Sequence, residues 1–281
     1  MTQVIACIDG TDVSTTVCDY AVWASLRMDA PLEFLHVLDK SEYPTDTNLS
    51  GNIGLGSREA LLDELAALDE KRGKLALEQG KLMLEAAKSR ALDSAIKNPT
   101  TRQRHGSLVE TLNEMETSIR LLVLGKHDDH LSEHIGSRLE NVVRTLHRPI
   151  LITTAADYRL PQKVMLAFDG SATTRKGVEM VATSPLFRDM PCHLIMVGTD
   201  NHSNREQLQW AKHTLEAAGF DTPATLLSGE VEKVLCDYRA AHDIDMLIMG
   251  AYGHSVIRRF LVGSTTTSVV RNASVPVLLL R

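Results

Sequence analysis

The sequence predicts an α/β chain built as two tandem, doubly wound parallel sheets of five strands each, and three observations carry that prediction. The first is an internal repeat: Val4-Ile5-Ala6-Cys7-Ile8-Asp9-Gly10 reappears as Val164-Met165-Leu166-Ala167-Phe168-Asp169-Gly170. Further on, Leu121 to Gly125 answers Met246 to Gly250, Gly136-Ser137 answers Gly263-Ser264, and Arg148 to Ile152 answers Val275 to Leu279. Gly136 to Pro149 and Gly263 to Pro276 are both thirteen residues, so the register repeats as well. The second observation is that short, nearly all-apolar runs alternate with helical patterns, as in a parallel sheet covered on both faces. The third is length, since 281 residues suffice for two domains that each bury a core. The join falls near Ala155 to Gln162, where Ala-Asp-Tyr-Arg-Leu-Pro breaks the pattern, and divides the chain into 1–156 and 160–281.

The elements of the second copy follow in order: strand Lys163–Phe168, helix Ala172–Thr183, strand Cys192–Val197, helix Arg205–Gly219, strand Thr222–Leu226, helix Val231–His242, strand Asp245–Met249, helix Ser264–Asn272 and strand Val275–Leu280. The first copy repeats this plan with 35 extra residues, because Asp9 to Gly125 spans 116 residues and Asp169 to Gly250 spans 81. The excess lies between Asp39 and Lys97. Lys40 to Ser57 is rich in Ser, Thr, Asn, Gly and Pro and reads as a loop, whereas Arg58 to Ile96 is an Ala/Leu/Glu/Lys helical pattern with Gly73 and Gly80 as candidate interruptions. Two readings stay open for it: a cover or groove at the first crevice, or a longer packing helix.

Composition narrows the function. A formal net charge of −6 with 4% aromatics gives no basic face or stacking platform for nucleic acid. The longest apolar stretches, such as Val275 to Leu280, are far too short for a membrane span, and Met1 to Gly10 lacks a signal peptide's basic start, so a cytoplasmic location is expected. Cys7, Cys18, Cys192 and Cys236 stand on apolar segments without a Cys-x-x-Cys pair and read as reduced core thiols.

The stretch from Gly250 carries the chemistry. Gly250-Ala251-Tyr252-Gly253, nine residues, then Gly263-Ser264-Thr265 follow an apolar strand and lead into a helix, whose first N–H groups and positive dipole end suit an anion. Gly263 allows close backbone approach, and the Ser264 and Thr265 hydroxyls can cap the helix or donate to phosphate oxygens. Neither the Walker nor the dinucleotide glycine spacing fits, and an ordinary strand-to-helix connection is the alternative. In a parallel sheet, Asp9, Asp169, Gly125 and Gly250 share the carboxyl edge where ligands bind.

On these residues each half resembles a universal stress protein domain, and the whole resembles a tandem universal stress protein across essentially the full chain. The family motif, Gly-x-x-Gly, nine residues, Gly-Ser/Thr, is matched by Gly250, Gly253, Gly263 and Ser264. The resemblance implies a Rossmann-like, adenine-nucleotide alpha-hydrolase-like fold. It also implies ATP as ligand, with Mg²⁺ as a companion ion. In relatives that bind ATP, the first-strand aspartate lies against the nucleoside, the end of the second strand meets the adenine through its backbone, and the glycine loop holds the phosphates. By position those roles fall to Asp169, to Val197, and to Met249, Gly250, Gly253, Gly263, Ser264 and Thr265. A cap on the helix near Ala172, shared with Ser171, is the structural alternative for Asp169. In single-domain relatives the terminal strands pair across a dimer. The tandem chain can make that pairing internally, which leaves a further homodimer open.

The first copy departs from the motif. Its counterparts are Asp9, Val37, Gly125, Gly136 and Ser137, but Asp128 stands where Gly253 does, and Gly125 to Gly136 is eleven residues against thirteen. Asp128, Asp129 and Glu133 would set negative charge beside a triphosphate, a repulsion of about 1 kcal/mol or more per pair near the surface. The second copy is therefore expected to hold the nucleotide. His127, His130 and His134 have a spacing that could offer one helical face to a metal, against the plainer reading of a solvated polar loop. No nucleophile–base pair, paired catalytic carboxylates or Walker lysine is legible, and Tyr252, His254, Arg258 and Arg259 suit phosphate neutralisation or solvent better than attack. The expected function is an ATP-binding stress-response module. A scaffold without nucleotide, or slow ATP hydrolysis, is the alternative.

Overall fold

Short runs of Val, Ile and Leu bounded by glycine, proline and aspartate form strands, and the amphipathic stretches between them form helices that cover both sides. The computed structural model describes residues 2–38, 55–126, 137–154, 157–250 and 264–281. In chain order the elements are β1 (Gln3–Cys7), α1 (Ser14–Met28), β2 (Leu32–Leu38), α2 (Leu55–Asp93), β3 (Thr100–His105), α3 (Leu108–Met115), β4 (Ile119–Gly125), α4 (Ser137–Thr145) and β5 (Ile150–Thr153). They continue as β6 (Val164–Phe168), α5 (Ala172–Thr183), β7 (Cys192–Val197), α6 (His202–Ala217), β8 (Ala224–Leu227), α7 (Val231–Ala241), β9 (Met246–Gly250), α8 (Ser264–Asn272) and β10 (Val277–Leu280).

Two of the bounds that differ from the sequence expectation have a local cause. Helix α6 starts at His202 rather than Arg205 because the Asn201 side chain accepts from the Asn204 N–H and caps it. β10 starts after Pro276, which has no N–H to donate. The largest difference is α2, a single 39-residue helix in which neither Gly73 nor Gly80 makes a break. Gly80 is a contact point instead: a Cβ there would stand 2.5 Å from His36 Cδ2, so only glycine lets α2 lie this close to β2.

Both halves have the doubly wound order, and they are joined. The ten strands form one sheet in the order β3-β2-β1-β4-β5-β10-β9-β6-β7-β8, parallel within each half. At the centre β5 and β10 pair antiparallel, with Ile152, Leu151 and Ile150 opposite Val277, Leu278 and Leu279. Strand residues alternate between the faces, so each face has its own continuous core across both halves. Val4, Ala6, Leu166 and Leu278 pack with residues of α1, α2, α5 and α6, while Ile5, Leu122, Leu247 and Leu279 pack with residues of α3, α4, α7 and α8. Cys18 and Cys192 are buried, and burial raises both thiols to about 12. They behave as core residues. Cys7 and Cys236 are only partly covered.

Polar contacts complete the join. Buried Lys126, the residue after β4, reaches from the first half to the C-terminus of α8, where its Nζ donates to the carbonyls of Arg271 at 2.7 Å and Ala273 at 3.2 Å. A cation at the negative end of a helix dipole is favourable. Replacing Lys126 by Met removes both bonds. The expected loss is about 1–3 kcal/mol of unfolding free energy, read from urea denaturation with an unchanged slope.

Candidate functional site

In a parallel sheet of this order, the crevice lies beyond the carboxyl ends of the two central strands of each half, β1 with β4 and β6 with β9. The sequence determines the turn that follows the first strand. In the second half, Asp169 Oδ1 accepts from the Ser171 N–H at 2.9 Å and from Thr174 Oγ1 at 2.6 Å, while Ser171 Oγ caps α5 by accepting from the Thr174 N–H at 3.2 Å. Gly170 turns the chain at φ +75°, a conformation that disfavours any side chain. The aspartate thus takes part in the helix start that was its alternative role, and its negative charge faces the positive end of α5. In the first half, Asp9 Oδ1 accepts from the Thr11 N–H, Thr11 Oγ1 and Ser14 Oγ at 3.2, 2.8 and 2.9 Å.

The strand ends bring further candidates to the same edge. Gly250 closes β9, and a Cβ on it would lie 3.1 Å from Thr174 Cγ2, so the first turn of α5 leans over this glycine. Gly125 closes β4 and holds the same place against α1, with Val13 Cγ1 at 2.9 Å from a Cβ. Both glycines therefore let a helix approach, whatever else they do. The Gly198 N–H donates to Leu227 O at 2.8 Å on the β8 side. Strand alternation then turns the backbone groups of Val197 toward β6, which ends at Phe168. Val37, next to last in β2, turns its backbone groups toward β1 in the same way, because the Gly106 N–H bonds Leu38 O on the β3 side. Met249 is buried on β9. Ser264 and Thr265 open α8, and Ser137 opens α4, at the carboxyl edges of their halves. Gly253, Gly263, Gly136, and the cluster His127, His130 and His134 lie outside the described residues, as do Asp128, Asp129, Glu133, Tyr252, His254, Arg258 and Arg259.

Two features near the crevice of the second half were missed by sequence reasoning. The first is Arg175, whose guanidinium stacks 4.5 Å from the centroid of the Trp210 ring and whose Nε donates to Gly170 O at 3.3 Å. A cation is thereby held beside the Asp169 turn. Position for position in the repeat, the first half has Thr15 at that place, and Asp12 where the second has Ala172. Aligning the two copies residue by residue beyond the glycines would have revealed it. The second feature is Glu232 on α7, which accepts from Ser268 Oγ and Asn272 Nδ2 and so anchors α8. The Ser268 bond first, and then the Asn272 bond, hold its carboxyl below the usual carboxylate range. Among the described residues no group of three metal-ligating side chains occurs.

Comparison with known proteins adds three findings. The model of the universal stress protein family matches residues 1–154 and 197–281. A curated relative, the universal stress protein Slr1230 of Synechocystis sp., is 33% identical over 288 residues, covering all of both chains. Among solved structures, a universal stress protein from Archaeoglobus fulgidus superposes with a TM-score of 0.67 at 18% identity, over 99% of this chain and 97% of that one. A Pseudomonas aeruginosa protein of unknown function superposes at 0.59 and 13% identity, over 100% and 92%. At these identities the two structural likenesses are of fold.

Two expected outcomes follow from this geometry. Gly125→Ala should cost about 1–3 kcal/mol of stability in denaturant melts, and more than Gly250→Ala, because Val13 and Val17 crowd its Cβ more closely than the Thr174 methyl crowds the other. Glu232 has a folded pKa below its unfolded one, so its contribution to stability is present above the ordinary carboxylate pKa and is lost as pH falls through the folded value. Acid-melting curves of Glu232→Gln should therefore show a shallower dependence on pH in that window than the parent.

Proposed function

The chain belongs to the universal stress protein family, and from that premise we propose that it is an ATP-binding stress-response module whose nucleotide is held by the second half, residues 160–281. The observation that carries the assignment is the unequal charge beside the two first-strand turns. Beside the second is Arg175 stacked on Trp210, with Ala172, and the sequence has a glycine at 253 in the loop after β9. Beside the first are Thr15 and Asp12, and the sequence has an aspartate at 128 in the corresponding loop. A polyphosphate carries several negative charges, so it favours the rim with the added cation and avoids the one with added carboxylates.

In this reading the N–H groups at the start of α8, with Gly263, Ser264, Thr265, Gly250 and Gly253, hold the phosphates. Asp169 faces the ribose hydroxyls, for which an ionised carboxylate is an acceptor, while its Oδ1 keeps the turn bonds. The backbone of Val197 and Met249 flanks the base. Mg²⁺ arrives with the triphosphate and neutralises it. Nucleotide occupancy then biases the conformation or the partners of the protein, with hydrolysis at most slow.

Isothermal titration of the full chain with Mg-ATP tests this. The expected result is one site per chain, abolished by Gly263→Val with no change in the circular dichroism spectrum or melting temperature. Two equivalent sites, or undiminished affinity in that variant, would overturn the assignment to the second half. Absence of any binding, together with no nucleotide released from the purified protein, would instead support a scaffold.

A further inference from the structure

Helix α2 outlasts everything it packs against. It has 39 residues where its counterpart α6 has 16, and Met83 meets Gly10 as Gln207 meets Gly170, which sets the two helices in register. Residues before about 78 thus have no counterpart in α6, and at the α-helical rise they extend about 35 Å past the point that matches its first residue. The packed stripe is Gly80, Leu84, Ala87 and Ala91, all buried. Between 63 and 79 no side chain is buried, and only Leu65, Asp69 and Ala76 are partly covered. A helix exposed all round has no packing of its own to hold it.

This projecting segment carries leucine at every seventh residue: Leu61, Leu68, Leu75 and Leu82. Leu68, Leu75 and Leu82 are 47%, 62% and 64% exposed. At 100° per residue they form a seam on the side of the helix opposite the packed stripe. Leucine at seven-residue spacing over three intervals supplies one of the two seam positions of a two-stranded coiled coil, and ordinary packing on a globular core, at 3.6 residues, does not maintain it. The positions that alternate with the leucines are Leu65, Arg72, Gln79 and Ala86.

We propose that this seam binds the same seam of a second copy of the chain, as an antiparallel two-helix coil with two-fold symmetry. Charge selects the orientation. A parallel pair would stack Arg72 on Arg72 of the other copy inside the seam and set Glu64 against Asp69, two like-charge contacts. An antiparallel pair places Arg72 between leucines and lets Lys71 face Glu64 or Glu78 of the other copy. An isologous contact of this kind closes on itself, so it yields a dimer and not a filament.

Sedimentation velocity and light scattering of the full chain read the result as mass. The expected species has twice the 31.0 kDa chain mass. The double variant Leu68→Lys, Leu75→Lys should run as a monomer, with the far-UV circular dichroism of the α/β body kept because neither side chain packs on its own chain's core. Lys71→Glu should weaken the dimer severalfold at low salt. A parent chain that stays monomeric at micromolar concentration, or a dimer that survives the double variant, would overturn the proposal. A dimer indifferent to Lys71→Glu would overturn the antiparallel orientation, since in the parallel coil Lys71 faces Ala76.

Discussion

An apolar strand edge cannot be left in water, and the antiparallel contact between β5 and β10 removes two of them at once. Each is a four-residue strand that follows a proline, with Ile and Leu on both faces. Their pairing converts two five-stranded sheets into one of ten strands and makes each helix layer continuous across the join. Lys126 and the leucines of β10 belong to the same device: the lysine ties the first half to the end of α8, and Gly177 lets α5 descend onto Leu280. Because the junction is antiparallel, the carboxyl edges of the halves lie on opposite edges of the sheet. The two crevices therefore share a scaffold but open at opposite edges of it.

That separation lets the copies diverge. The same strand–Asp–Gly turn starts α1 and α5, and the same glycine at the end of β4 and β9 receives the helix that follows. What differs is the chemistry set on the frame. The second copy adds Arg175, held by Trp210, and the first adds Asp12 and puts Met83 where the second has Gln207. Packing constrains the frame closely, since a single Cβ at Gly125 already meets Val13. The rim residues are under no such constraint, so charge can change there at little cost to the fold.

Helix α2 obeys both kinds of rule along its length. From Gly80 onward its spacing follows the sheet beneath it, with glycine and alanine at the closest approach. Before that point the leucines keep a period of seven, and Leu68 and Leu75 stay exposed among the described residues. One continuous helix thus carries two faces, one directed at its own core and one directed outward.

Much of this plan was legible in the sequence. The internal repeat specified the strand–helix order, the glycines at 125 and 250, the aspartates at 9 and 169 and the ends of β7, α5 and α8, because strand burial and helix capping leave strong local patterns. The sequence also showed Arg58 to Ile96 as a helical pattern, although composition alone could not say which helical face was already covered. Tertiary structure decided the rest. It closed β5 on β10, seated Gly80 of α2 against His36 and put Arg175 over Trp210. Each of these joins residues distant in the chain, and no local pattern of residue types records which distant surface a side chain will meet.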